Sequence, residues 1–374
     1  MEKEIFDLKD GGLVFLSIDY KNNKKATVFK SWRADPLDIN TLDDFLDNSK
    51  NKKIDINLNI KESFLWENNH KLPINAEYKY PFELDCNIEN RADIFCIVPG
   101  GWLPIGVGMI NSTILGDRNF IDRIKNYFSN NEIKEMYKGN FLTDKLNEMR
   151  FKIDILPFVL EGNQKKIQNI TQINQQFEEA KLKVENYLPN MPIVAYENIH
   201  LNEYANKILT HLKPTIEIRQ IFLEKVQSLL LNPSPKVERI IERWDKITEI
   251  ADNVGISRND ILVICCLLVI SSPQNDSPIR DLLKPHSSKE IYNAIFDINL
   301  IELLLNKTKK YPEENYVVVT HDKNLVRLAS IMANLTHQKS DGTLSNFKTT
   351  IPIKYIGTDE RLHEKLNEIL KLEK

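Results

Sequence analysis

The chain is short of the features that announce several common kinds of protein. It has only 12 glycines in 374 residues, and none of them builds a glycine-rich phosphate loop or a nucleophile elbow, which argues against P-loop hydrolases, kinases and serine hydrolases. Its four cysteines, Cys86, Cys96, Cys265 and Cys266, fall in no metal-ligand or redox spacing, and its seven histidines show no zinc pattern. No apolar run approaches the roughly 18 residues that a membrane crossing needs. The charged start Met1-Glu2-Lys3-Glu4 lacks a signal-peptide core. A cytoplasmic protein without a membrane partner is therefore the default expectation. Excess charge is missing too: 50 basic against 53 acidic residues leave a net charge of −3, so any nucleic-acid binding must come from local patches or bound metal.

What is present is ample core material. With 42% apolar and 28% charged residues, the composition is that of a globular protein long enough for two domains, or one with a large insertion. The first hundred or so residues read as β-structure, with short runs at 13–18, 26–29, 54–60 and 93–98, the third strictly alternating. After Trp102-Leu103-Pro104 the texture changes. A strand is expected over 107–115, helices over 119–128 and 155–170, and a mostly helical stretch from about 172 to 255. Ser257 reads as the N-cap of an apolar helix over 261–270 that takes in Cys265 and Cys266, and Ser287 or Ser288 as the N-cap of the next helix. A strand over 317–320, a helix over 324–335, a strand over 351–356 and a closing helix from Asp359 complete the pattern. Strands alternating with helices imply a parallel sheet, whose ligands gather at the carboxyl ends of its strands.

Four acidic positions stand out against this background. Asp117 follows an apolar run in Ile114-Leu115-Gly116-Asp117-Arg118-Asn119, where Gly116 permits a tight exit and Asn119 could support the carboxylate. An ordinary helix-capping aspartate is the competing explanation. Glu161 ends the run Leu156-Pro157-Phe158-Val159-Leu160, and Asp154, seven residues earlier, competes with it for the same role. Asp297 lies within an otherwise apolar helix, one turn after Asn293. Burying such a carboxylate unpartnered costs several kcal/mol, so it needs a lysine, backbone amides or a cation. Asp322 closes Val317-Val318-Val319-Thr320-His321-Asp322, with Thr320 two residues before it and able to point to the same side.

Asp, Glu, Asp, Asp in that order, in strand-end, helix, helix and strand-end settings, resembles the PIN-like nuclease superfamily, relatives of the flap endonucleases. The likeness covers residues from about 105 to 374. It implies an α/β fold: a PIN-like three-layer domain with a central parallel sheet over 105–374, a helical insertion at about 172–255, and a β-rich N-terminal domain over 1–104 before it. The long separation of Glu161 from Asp297 is the mark of that insertion. The resemblance further implies Mg²⁺ or Mn²⁺ held by Asp117, Glu161, Asp297 and Asp322, with Asn119 and Thr320 supporting those ligands. Asn293, one turn from Asp297, forms a polar pair with it, and Arg118 and Arg123 near Asp117 and Lys323 beside Asp322 could contact substrate phosphates. Oxygen-only ligands suit such hard ions.

The implied activity is divalent-metal-dependent cleavage of RNA or single-stranded DNA, RNA being slightly favoured, in an endoribonuclease of toxin or defence type. A regulatory protein acting through the N-terminal domain is a further expected partner. An inactive PIN-like module that binds a partner protein, and a phosphatase-like hydrolase, are the rival expectations. The basic stripe Lys236, Arg239, Arg243 and Lys246 could track a phosphate backbone, but a solvated amphipathic helix with Glu-Lys pairs explains it better.

Overall fold

The computed structural model describes residues 13–19, 23–47, 52–67, 70–74, 77–86, 94–109, 112–129, 151–162, 168–188, 191–194, 198–231, 236–271, 283, 288–332 and 353–371. Ser287, the prolines at 189 and 233–235 expected to break the helical stretch, and the expected helix and strand residues at 333–335 and 351–352 lie outside them, whereas Pro214, expected as a further break, lies inside a continuous helix.

The described residues are mixed α/β with two five-stranded sheets. The first is antiparallel and contains β1 (Leu13–Asp19), β2 (Asn23–Ala34), β3 (Lys52–Glu67), β4 (His70–Ile74) and β5 (Tyr78–Cys86). Its long β3 carries the strict alternation into the structure: Ile54, Ile56, Leu58 and Ile60 are buried while Asp55 and Asn57 are exposed, because successive side chains point to opposite faces.

The second sheet has the order β7-β6-β10-β8-β9, with β6 (Phe95–Val98), β7 (Gly101–Pro104), β8 (Ser112–Leu115), β9 (Lys152–Asp154) and β10 (Asn315–Thr320). Strands β10, β8 and β9 are parallel, whereas β6 and β7 form an antiparallel hairpin against β10. The central sheet is thus mixed, not wholly parallel. A two-residue turn at Pro99-Gly100 lets β7 return beside β6. Because β6 and β7 precede residue 105, this sheet takes strands from both sides of the expected boundary. Helix α1 (Ile39–Asp47) ties the two parts together. The Trp102 indole donates to the Asp38 carbonyl at 3.0 Å, Phe45 packs against Phe95 and Trp102, and the buried apolar residues form one continuous core.

Several local expectations are corrected. Where a strand is expected over 107–115, a short helix α2 (Ile105–Gly108) precedes the four-residue β8. Helix α3 (Arg118–Ser129) follows as expected. The helix expected over 155–170 is the six-residue α4 (Leu156–Glu161). It stops because Gly162 turns left-handed at φ 69°, and a new helix α5 (Ile170–Tyr187) starts from a capping box of Asn169 and Gln172. Long helices α6 (Asn198–Leu230) and α7 (Val237–Val254) fill the helical stretch. Helix α8 (Ile261–Ser271) is buried on every side, Cys265 and Cys266 included. Its cap is Asp260, which accepts the Leu262 N–H at 2.8 Å, while Ser257 closes the preceding turn. After α9 (Ser288–Lys310) and β10 come α10 (Lys323–Met332), α11 (Ile353–Ile356) and α12 (Glu360–Lys371). The segment expected as a strand over 351–356 is helical from Ile353. Its Tyr355 carbonyl accepts the buried Ser271 hydroxyl at 2.7 Å, so packing overrides β-propensity there.

Helix α7 shows which face a mixed stripe serves. Ile240, Trp244, Ile247 and Ala251 are buried, and the acidic flank docks on α12 through Arg361–Glu238 and Lys365–Asp245 ion pairs at 2.9 Å each. Lys246 pairs with Glu242 at 2.6 Å. These contacts favour the amphipathic-helix explanation.

Helices α6, α8 and α9 meet at Arg219, only 2% exposed. Its guanidinium donates to Asp260 at 2.8 Å, Glu302 at 2.5 Å and Asn299 Oδ1 at 2.6 Å. Replacing Arg219 by Met would leave two acids close together without their cation. We expect a loss of about 3–5 kcal/mol in urea unfolding, against no measurable change for Lys246→Met on the exposed side of α7. A loss below about 1 kcal/mol would show that water enters the cluster and screens it.

Candidate functional site

The parallel arrangement of β10, β8 and β9 puts their carboxyl ends on one edge of the sheet. Leu115 pairs with Asp154, and Val317 with Ile114, so Thr320, at the end of β10, and Asp117, two residues after the end of β8, leave the sheet at the same edge. Gly116 allows the close approach this edge requires. Its N–H donates to the Asp154 carbonyl at 2.9 Å, its carbonyl accepts from Phe158 at 3.0 Å, and a Cβ there would meet the Ile121 side chain at 2.9 Å.

Asp117 is 4% exposed. Its Oδ1 accepts the Phe120 N–H at 2.7 Å, which makes it the cap of α3. Burial, reinforced by the negative charges of Glu161 and Asp122 and opposed by the Phe120 N–H and Arg123, pushes its carboxyl up to about 7. Glu161, half-buried at the end of α4, reaches the same helix start, where Oε2 accepts the Arg118 N–H at 3.3 Å. Two carboxylates therefore crowd the positive end of α3.

Asp154 has a different role. It is fully buried, Oδ1 accepts the Leu156 N–H at 3.0 Å, and Oδ2 lies 3.1 Å from the ammonium of Lys307. The pair locks α9 onto β9, so of the two competing acids it is Glu161 that stands beside Asp117.

Asp297 is half-buried on α9, one turn beyond Asn293. The Oδ1 of Asn293 is buried with no hydrogen-bond partner, an unusual condition for an acceptor. Helix α9 is held against α4 by Tyr292, whose hydroxyl donates to the Glu161 carbonyl at 3.1 Å. Asp322 is exposed and caps α10, accepting the Asn324 and Leu325 N–H groups at 2.8 and 3.1 Å. Its own N–H donates to the buried Thr320 hydroxyl at 3.0 Å, which keeps hydroxyl and carboxylate adjacent.

The supporting residues divide. Asn119 is exposed, and the Asp117 carboxylate takes the Phe120 backbone N–H. Arg118, expected on substrate, is turned inward: it donates to Gln176 at 2.9 Å, lies 4.3 Å from the Phe158 ring centroid and stands 3.7 Å from Asp122. Arg123 and Lys323 are exposed. Among the described residues, no three His, Cys, Asp or Glu side chains converge closely enough to hold one ion. Tyr292 and Lys307, which act across the fold, carry no local signature that would single them out in the sequence. Among the described residues no helix is long and apolar enough to cross a membrane. No family model, no curated protein and no solved structure matches the chain.

Proposed function

We propose that the protein is a divalent-metal-dependent phosphodiesterase acting on nucleic acid, RNA in preference to single-stranded DNA, with its site at the carboxyl edge of β8, β9 and β10. The observation that carries this reading is the buried Asp117 carboxyl, pushed up to about 7 beside Glu161. Two acids held this way repel each other, and a cation between them relieves both. The residues fit a hard ion: the donors are carboxylates, and the buried Asn293 oxygen has no hydrogen-bond donor. Mg²⁺ retains several waters and takes only one or two protein carboxylates, so Asp117 and Glu161 suffice to hold it, with Asp297 and Asp322 acting through its waters. Bound there, Mg²⁺ or Mn²⁺ supplies charge for the scissile phosphate and lowers the pKa of a water. The chain supplies the rest: β8 and α4 fix the two carboxylates, and Asp297 and Thr320 orient water along the sheet edge. The preference for RNA rests on the PIN-like resemblance alone, as does a toxin or defence role.

A second reading has its own support. Asp117, Asp154 and Asp322 all accept N–H groups from the helices that follow them, as the carboxylates of an inactive PIN-like interaction module would. Incubating the protein with labelled RNA and single-stranded DNA in Mn²⁺ or EDTA separates the two. A nuclease cleaves RNA in Mn²⁺ only, and Asp297→Asn lowers the rate by roughly 10²-fold or more. Intact substrate with the wild type favours the module, and an Asp297→Asn variant as active as the wild type removes Asp297 from the chemistry.

A further inference from the structure

We infer that Tyr292 is a positioning residue of this site: its hydroxyl clamps the end of α4, where Glu161 sits, to α9, which carries Asn293 and Asp297. The inference rests on the metal-dependent reading above and assigns the tie between two of its acidic helices.

Helix α4 is only six residues long. Glu161 is its last residue, in the turn whose carbonyls have no donor from their own helix, and Tyr292 supplies one at 3.1 Å. The chain cannot relax easily on the other side. Gly162 holds φ 69°, and a Cβ there would fall 2.0 Å from the Gln168 side chain. The Tyr292 ring is itself held, 4% exposed and stacked on Phe296 with centroids 4.8 Å apart and planes tilted by 30°. Helix α9 is also tied by Lys307 to Asp154 and through Asn299 and Glu302 to Arg219. Those ties act farther along the helix and on residues outside the site. The Tyr292 bond acts on the backbone of Glu161 itself, so its loss frees that residue while leaving α9 in place.

The test is Tyr292→Phe in the full chain, which keeps the ring and removes the hydroxyl. Mn²⁺ uptake is measured by electron paramagnetic resonance of the free ion, beside thermal unfolding in EDTA. We expect Mn²⁺ affinity to fall about 10-fold, the usual effect of losing a group that orients a metal ligand, with little change in unfolding temperature. In a Glu161→Gln background the same substitution should have no further effect on Mn²⁺. Unchanged Mn²⁺ affinity, or equal effects in both backgrounds, overturns the positioning role and leaves the metal-dependent reading standing. A wild type that takes up no Mn²⁺ overturns both.

Discussion

Asp117→Asn should abolish metal-dependent cleavage and at the same time make the protein more stable. The loss of cleavage is expected to be roughly 10²–10³-fold or more, since on the proposed reading Asn lacks the charge that would hold the ion, and the ion would offset the charge of the scissile phosphate. The gain in stability follows from burial. A carboxyl whose folded-state value is raised from the ordinary 3.8 to about 7 prefers to be protonated in the folded protein. Its favourable contribution is fully present below the unfolded value and is lost as pH rises through about 7. Above that point the wild type carries a poorly solvated charge that Asn does not, while Asn caps α3 as well as Asp does. Denaturant unfolding in EDTA at pH 8 should therefore favour the variant by about 2–4 kcal/mol. The advantage should shrink as the pH falls and vanish near pH 4. Mn²⁺ should narrow the gap at pH 8 by binding the wild type alone. Equal stabilities at pH 8 would mean that the Asp117 charge is solvated or compensated, and cleavage retained by the variant would remove Asp117 from the chemistry.

The second large effect is expected away from the site. Lys307→Met removes the ammonium 3.1 Å from the fully buried Asp154, so that carboxylate loses its counter-ion. Breaking a buried pair from one side costs about 3–5 kcal/mol, and the variant should unfold at markedly lower urea concentration. The double variant with Asp154→Asn should recover most of the loss, because the buried charge disappears together with its counter-ion. The same pair of positions tests which acid serves the site. Asp154→Asn should keep Mn²⁺-dependent cleavage within a few-fold of wild type, whereas Glu161→Gln should lose it. A loss under about 1 kcal/mol for Lys307→Met would mean that Asp154 is stabilised by other groups. Asp154→Asn as inactive as Glu161→Gln would return Asp154 to the site.

Residues with strong local patterns are legible in the sequence. The alternation from Ile54 to Ile60, the valines of β10 and the wholly apolar α8 each state their burial in their own order. Asp117 and Thr320 are legible as strand-end residues because an apolar β-branched run leads into each. Elements decided by contacts distant in sequence are not. The segment at 351–356 has a strand's composition, yet from Ile353 it forms a helix against α8. The run from 155 to 170 reads as one helix and breaks at Gly162, where a left-handed backbone beside Gln168 is required. Arg118 looks like a phosphate-binding residue beside an acid, but Phe158 on α4 and Gln176 on α5, both far along the chain, turn it inward.

The aspartate inside the apolar stretch of α9 illustrates the division. The amino-acid order by itself determined that Asp297 lies on a largely buried helix, one turn from Asn293, and that Asp117 and Asp322 close strand-like runs, because helical and strand periodicities are local properties of the chain. Tertiary structure alone decided that β8, β9 and β10 run parallel, so that their ends share an edge, that Glu161 rather than Asp154 stands beside Asp117, and that α9 is tied to the end of α4 by Tyr292. Those outcomes depend on pairing register, and on which charge finds a buried partner such as Lys307. Both are set by contacts between segments that no local window of sequence contains.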